Sequence, residues 1–417
     1  MKRAHVIGAG LSGLSSALQL LDRGYEISLY EAAGEAGGRC RSFHDVALDC
    51  LIDNGNHLLL SGNTSAMAFL DRVGARSELI GPPEARLNFV DLRDGARWTF
   101  RPNRGKVPWW VFSSSRRVAG TTPGDYWPAR KLLSAETGDL FSDLLPTSGV
   151  LYERFWEPMV VGALNIAPER AAAVLLKPVL LETFAKGADA CRPLIAKEGL
   201  GLTFVTPALK TLDEAGAQIS YATRLKGFEV SDNKISSLNF SSDSISVAPD
   251  DVVVLAVPQW VASTILPDYA GPEEAEPIVN AHFRLPETLE GHDIDPVLGV
   301  IGGMAQWIFV RGDVVSVTIS AAGKEAELGG QAIAAEVWRD VAAALDLGTM
   351  ALPKWRIIKE RRATFVQTPE QVSRRLPAKT QVSNLALAGD WTDTKLPATI
   401  EGSIRSGEIA ARVLTGA

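Results

Sequence analysis

Cysteine is scarce: the 417 residues hold three, Cys40, Cys50 and Cys191. Their spacing matches neither a CxxC pair nor a metal-ligand set, which excludes a disulfide framework, and no metal site is expected. An odd, sparse set reads as the reduced thiols of a cytoplasmic protein. Long apolar runs are missing too. The longest candidate, Ala171 to Leu181, is interrupted by Lys177 and Pro178, so no transmembrane helix is expected. A signal-peptide pattern is absent because a short apolar strand runs straight into a glycine turn. No basic block stands against the formal net charge of −7. That excludes nucleic acid as an expected partner and argues against a polybasic membrane anchor, while leaving open peripheral membrane contact through an apolar patch. Repeats and low-complexity segments are lacking as well. What remains is ordinary globular composition, 46% hydrophobic and 22% charged, in a chain long enough for two domains.

What is present is concentrated first in Ala4 to Cys40. His5-Val6-Ile7 predicts a strand, and Gly8, Gly10 and Gly13 follow in GxGxxG spacing. Gly8 suits the tight turn, Gly10 lets the backbone approach a pyrophosphate, and Gly13 permits close packing of helix on sheet. Leu11 and Ser12 lie between them at the helix N-terminus, where free amides and the positive dipole end face phosphate. Leu14, Ala17, Leu18 and Leu21 recur at helical spacing, and Ile27 to Tyr30 predict the second strand. It ends at Glu31, 23 positions after Gly8, where an acid binds ribose hydroxyls. A glycine turn alone is weak evidence; strand, turn, helix and acid together specify a dinucleotide site.

The run after Glu31 contains Gly37, Gly38 and Arg39, and it resembles the second glycine motif of the FAD-binding flavoproteins related to amine oxidases and carotene desaturases. Leu385 to Asp390 predicts a strand ending in Gly389-Asp390, which resembles their third motif, where the acid binds the ribityl chain. Thr399 and Ile400 then open a final helix whose amides are expected to face the pyrimidine side of the flavin. The resemblance implies FAD as cofactor. Asp53-Asn54-Gly55-Asn56-His57, followed by Leu58-Leu59-Leu60, resembles the hydroxysqualene dehydroxylases, in which Gln commonly replaces Asn56. Phe155-Trp156-Glu157-Pro158, Ala163-Leu164-Asn165 and Pro168-Glu169-Arg170-Ala171 resemble the same family. By this resemblance the 53–57 cluster lies beside the isoalloxazine, with Gly55, Asn56 and His57 touching it. His57, Asp53 and Asn54 are the catalytic candidates, His57 first, because an imidazolium donates near neutral pH. A polar turn bonding its own backbone is the other reading of that stretch.

The rest of the chain sets the architecture. Residues 130–190 read as a helical cap, with Pro168 starting a helix. Asp251 to Pro258 reads as a buried strand returning to the nucleotide domain, and Val314 to Ser320 as a half-buried strand. Pro108-Trp109-Trp110-Val111-Phe112 reads as domain packing, or else as a stretch that lines a mouth for an oily substrate or dips into a bilayer. The fold class expected is α/β: a Rossmann-like FAD-binding domain, as in amine oxidases and glutathione reductase, with an interleaved α+β substrate domain. Residues 1–65, 200–270 and 381–417 are assigned to the first, 66–199 and 271–380 to the second. The resemblance implies reductive loss of water from hydroxysqualene, giving squalene for hopanoid synthesis. The electron donor stays unidentified, since no second dinucleotide motif stands in the chain. A carotenoid desaturase and an amine oxidase are the enzymatic alternatives, though the C-terminal motif has no Cys for covalent flavin. A prenyl-lipid carrier is the non-enzymatic one.

Overall fold

The apolar run before the first glycine forms β1 (Arg3–Ile7), and its Ala4 and Val6 are fully buried. Helix α1 (Leu11–Leu21) returns the chain to β2 (Glu26–Tyr30), parallel to β1 with Ile7 opposite Tyr30. In this computed structural model, which describes residues 2–289 and 295–416, the sheet has five parallel strands. Their order is Gln218–Ser220, β2, β1, Val252–Leu255, Leu385–Leu387. Parallel strands need both faces covered. The long C-terminal helix Ile400–Thr415 covers one face together with α1, the two packing backbone to backbone at Gly407, where an added Cβ would lie 2.4 Å from the Ser12 carbonyl oxygen. Ser15 Oγ donates to the Ile404 carbonyl across that crossing. Helix α2 (Thr64–Arg72) joins the same layer, because the buried Glu401 carboxylate accepts from the Ser65 and Ala66 amides at its N-terminus.

The second sheet has seven strands in the order Lys354–Phe365, Ala275–Arg284, Val314–Ile319, Trp307–Arg311, Val297–Ile301, Leu87–Asp91, Arg97–Phe100. It is antiparallel except where Val297–Ile301 meets Leu87–Asp91. The other face of the parallel sheet is covered largely by a three-stranded antiparallel sheet through Leu225, Ile235, Leu238 and Phe240, so the fold is α/β, a Rossmann-like nucleotide-binding unit with an interleaved α+β unit. Residues 290–294, inside the expected range 271–380, lie outside the described residues.

Three expectations need correction. Val314–Ile319 is buried on both faces, because Val315, Val317 and Ile319 pack with the helix Gly330–Ala344 while Ser316 and Thr318 are hydrogen-bonded to His282 and Asn280. Residues 130–190 are mostly 3₁₀ and π turns around three short helices, Phe141–Leu144, Glu157–Leu164 and Leu176–Glu182. Prolines recur through that stretch and cannot donate to a helix ladder. After Pro168 only the turn Pro168–Arg170 forms, since the Ala172 amide donates to Gln367 of another segment instead of continuing a helix.

Candidate active site

A cavity of about 660 Å³ runs between the two sheets. One end is built by the glycine turns. Gly8 takes φ +104°, and an added Cβ there would sit 2.4 Å from the Ala256 carbonyl oxygen of the neighbouring strand's end. Gly10, Leu11 and Ser12 line the wall, and Gly13 lies behind it as a packing residue. The second glycine pair folds back on the first. The Gly37 amide donates to the Ala9 carbonyl at 2.8 Å, and Gly38 faces the Gly10 Cα. Glu31 closes this end from β2, its carboxylate accepting from the Ala9 and Ala33 amides at 2.8 Å each.

The C-terminal motif supplies the opposite wall. Gly389 and Asp390 follow the strand Leu385–Leu387, and Arg39 grips Asp390 with two bonds of 2.8 Å. Thr399 caps the last helix through Gly402 N, which leaves the amides of its first turn, at Ile400 and beyond, facing the cavity. Arg375 went unnoticed in the sequence, lying in a polar run with no motif. It is buried and donates to the Leu396 and Asp390 carbonyls and to Thr394 Oγ1, so it holds the 390–396 loop from behind. Burial lowers its pKa to about 10.

The 53–57 cluster divides. Asn54, Gly55, Asn56 and His57 line the cavity; Asp53 does not. The Asp53 carboxylate accepts from Leu200 N at 2.8 Å, from Ser42 Oγ, and from Arg311 Nη1 at 2.8 Å, so its oxygens are spent on structure. Asn54 Nδ2 donates to Glu360 Oε2 at 3.3 Å. Asn56 Nδ2 faces Thr318 Oγ1 at 3.3 Å and Asn280 Oδ1 at 3.4 Å, while Asn56 Oδ1 is a buried acceptor with no partner among the described residues. Glu360, Asn280 and Thr318 were not singled out in the sequence. Asn280 carried a signal, a lone amide in the apolar strand Ala275–Arg284.

The reason for ranking His57 first needs correction. Desolvation lowers its pKa to about 4, so it is a neutral imidazole at neutral pH, able to donate a hydrogen bond but not to serve as an imidazolium. An NMR titration is expected to show the His57 ring unprotonated until the pH nears 4. His282, fully buried with Nδ1 2.8 Å from Ser316 Oγ, is pushed to about 3 by burial. Both folded values lie below the ordinary 6.5, so the unfolded chain binds more protons and stability falls as pH drops below about 6.5. His282 costs up to about 1.4 kcal/mol per pH unit through that window, which denaturant melts between neutral and mildly acidic pH will measure.

Beyond the polar cluster the wall turns apolar, with Leu58, Phe89, Phe155, Met159, Phe184 and Trp307 among its side chains. The residues fit a flavin dinucleotide: open space over Gly10, two facing glycine turns, an acid ending β2, a second buried acid at residue 390, and a chamber continuing from them. Fold and site together define an FAD-dependent oxidoreductase. The model of the family "Flavin containing amine oxidoreductase" matches residues 11–415. Similar folds include cyclohexylamine oxidase from Brevibacterium oxydans, TM-score 0.68 at 15% identity, covering 100% of this chain and 99% of that one. Putrescine oxidase bound to putrescine superposes with TM-score 0.68 at 14% identity over 100% and 99%. Hydroxysqualene dehydroxylase of Sinorhizobium fredii is 44% identical over 410 residues, 98% of this chain and 97% of the relative. That of Rhodopseudomonas palustris is 42% identical over 417 residues, 100% and 99% of the two chains. Zeta-carotene desaturase of Zea mays, by contrast, is 37% identical over 75 residues, 18% of this chain and 13% of the relative. The chain belongs to the hydroxysqualene dehydroxylase family of flavin containing amine oxidoreductases.

Proposed function

We propose that this protein reduces hydroxysqualene to squalene, with loss of water, using FAD. The observation that carries the reading is similarity over essentially the whole chain to hydroxysqualene dehydroxylases, against a match of only 75 residues to the desaturase. When bound and fully reduced, as FADH2, the cofactor would supply both a hydride and a proton, so that a C–O bond breaks, a C–H bond forms, and the proton joins the departing oxygen to make water.

The chain's own residues do the rest. The Gly8 to Gly13 turn and the start of α1 bind pyrophosphate, Glu31 the ribose, and Asp390, held by Arg39, the ribityl chain. Gly37 and Gly38 pack against the first turn, and Gly55, Asn56, His57, Thr399 and Ile400 face the flavin ring. Phe89, Phe155, Phe184 and Trp307 hold the hydrocarbon and exclude water, which protects an electron-poor allylic carbon until reduction. The unpartnered Asn56 Oδ1 accepts from the substrate hydroxyl, and neutral His57 donates a hydrogen bond as it leaves. Electrons reach the flavin from outside the chain, from a reduced nicotinamide or a partner reductase. The work is done at the cytoplasmic face of the membrane in which so apolar a substrate dissolves.

The test is anaerobic. Protein whose flavin has been bleached by reduction is mixed with hydroxysqualene, and absorbance and extracted products are followed. Return of the oxidised spectrum with one squalene per flavin is expected. Flavin that stays reduced, together with bleaching of oxidised enzyme by a polyene or an amine, would reverse the direction of hydride transfer and sink the proposal.

A further inference from the structure

Residues 101–131 carry seven cations and one acid in a chain whose net charge is −7. Dispersed spacing hides this excess in the sequence, yet Arg101, Arg104, Lys106, Arg130 and Lys131 are all exposed. The same stretch exposes large apolar side chains: Val107 is 74% exposed, Phe112 75%, Trp127 66% and Trp109 49%. Two of these aromatics lie beneath guanidinium groups, Arg116 over Trp109 at 4.9 Å and Arg130 over Trp127 at 4.4 Å. The two turns that bear them, Trp109–Phe112 and Pro123–Ser134, are pinned together by the edge-on contact of Trp110 with Tyr126 at 5.1 Å. Each turn thus keeps one aromatic inside and presents its neighbour to solvent. Burial explains the first of each pair; the second leaves about half or more of its surface in water.

The patch also connects to the cavity wall through two aromatic layers. Trp110 packs on Phe100 at 4.9 Å, and Phe100 on Phe155 and Phe184 at 5.4 and 5.8 Å, the last two being cavity wall. A further link is the Ala188 amide, which donates to the Asn103 carbonyl and ties the segment to the chain that follows Phe184.

We infer that the 101–131 segment docks on a bilayer surface bearing anionic headgroups, with Trp109, Phe112 and Trp127 entering the interface and the surrounding Arg and Lys meeting phosphates. Tryptophan favours that interface, arginine and lysine near it are attracted to anionic lipid, and among the described residues no helix is long and apolar enough to cross a membrane. Docking here sets the cavity wall against the layer that dissolves an isoprenoid. That consequence rests on the proposed substrate; docking itself does not.

Holoenzyme is sedimented with vesicles of phosphatidylcholine alone and of phosphatidylcholine mixed with phosphatidylglycerol. Binding to the mixed vesicles is expected, weakening with added salt, and R130E/K131E is expected to lower it by about tenfold. The triple variant W109S/F112S/W127S, retaining its flavin, is expected to stay in the supernatant. Should that variant not fold, brominated lipid provides the second measurement: wild-type tryptophan fluorescence is quenched on the vesicles and W109F/W127F loses most of the quenching. Wild-type protein that ignores both vesicles, a folded triple variant that binds as wild type does, or quenching unchanged in W109F/W127F overturns the inference. None of these measurements uses hydroxysqualene, so failure of the substrate reading would appear separately, in the anaerobic assay.

Discussion

Gly10→Ala is expected to leave the polypeptide folded while weakening FAD binding by about 10- to 100-fold, and Gly13→Ala is expected to prevent folding of the nucleotide-binding half. The two glycines stand three residues apart in one motif but meet different surroundings. Gly10 is extended backbone, φ −77° and ψ 177°, which alanine adopts freely, and its added Cβ would meet nothing within 4 Å. The methyl group would instead project into space assigned to the pyrophosphate, and forcing a methyl into a well-packed contact costs about 1–3 kcal/mol. At Gly13 the Cβ would stand 1.8 Å from the Gly8 carbonyl oxygen, so α1 would have to lift off β1. Flavin-to-protein absorbance and melting of the flavin-free protein separate the two outcomes. Wild-type FAD affinity in Gly10→Ala would mean the pyrophosphate lies elsewhere.

Asp53→Ala is expected to destabilise the fold by about 3–5 kcal/mol, because it strands the Arg311 guanidinium in a site where its side chain is 11% exposed. The Leu200 amide and Ser42 hydroxyl lose their acceptor as well. Replacing both charges, as in Asp53→Leu with Arg311→Met, is expected to restore most of the loss, since paired removal leaves no uncompensated charge. Chemical denaturation measures both, and turnover per bound flavin reports whether anything catalytic went with them. Unchanged stability with collapsed turnover would return Asp53 to the catalytic group from which its hydrogen bonds remove it.

The glycine turns, Glu31, the strand at Val252–Leu255 and the Gly389-Asp390 end of the last strand were legible because each is a local event: a turn, a strand end, an acid at a set distance. Asp53 and His57 were legible as members of a motif, but their tasks were not. Whether a carboxylate faces a cavity or a buried arginine depends on strand Trp307–Arg311, more than 250 positions away. Whether an imidazole is charged at neutral pH depends on how much water reaches it. The cap misled for a similar reason. Apolar spacing between prolines reads as helix, but the Ala172 amide found its acceptor at Gln367, and backbone partners at that separation leave no periodic trace.

By itself, then, the amino-acid order determined the nucleotide fold, the cofactor class and the family, since a motif whose parts are neighbours in the chain carries its geometry with it. Tertiary structure alone decided which of the motif's side chains reach the cavity, that Arg375 braces the Asp390 loop, and that aromatic and basic residues of 101–131 share an exposed segment behind the cavity wall. Those are relations between residues brought together by folding, and burial, charge pairing and exposure exist only once the distant partners have met.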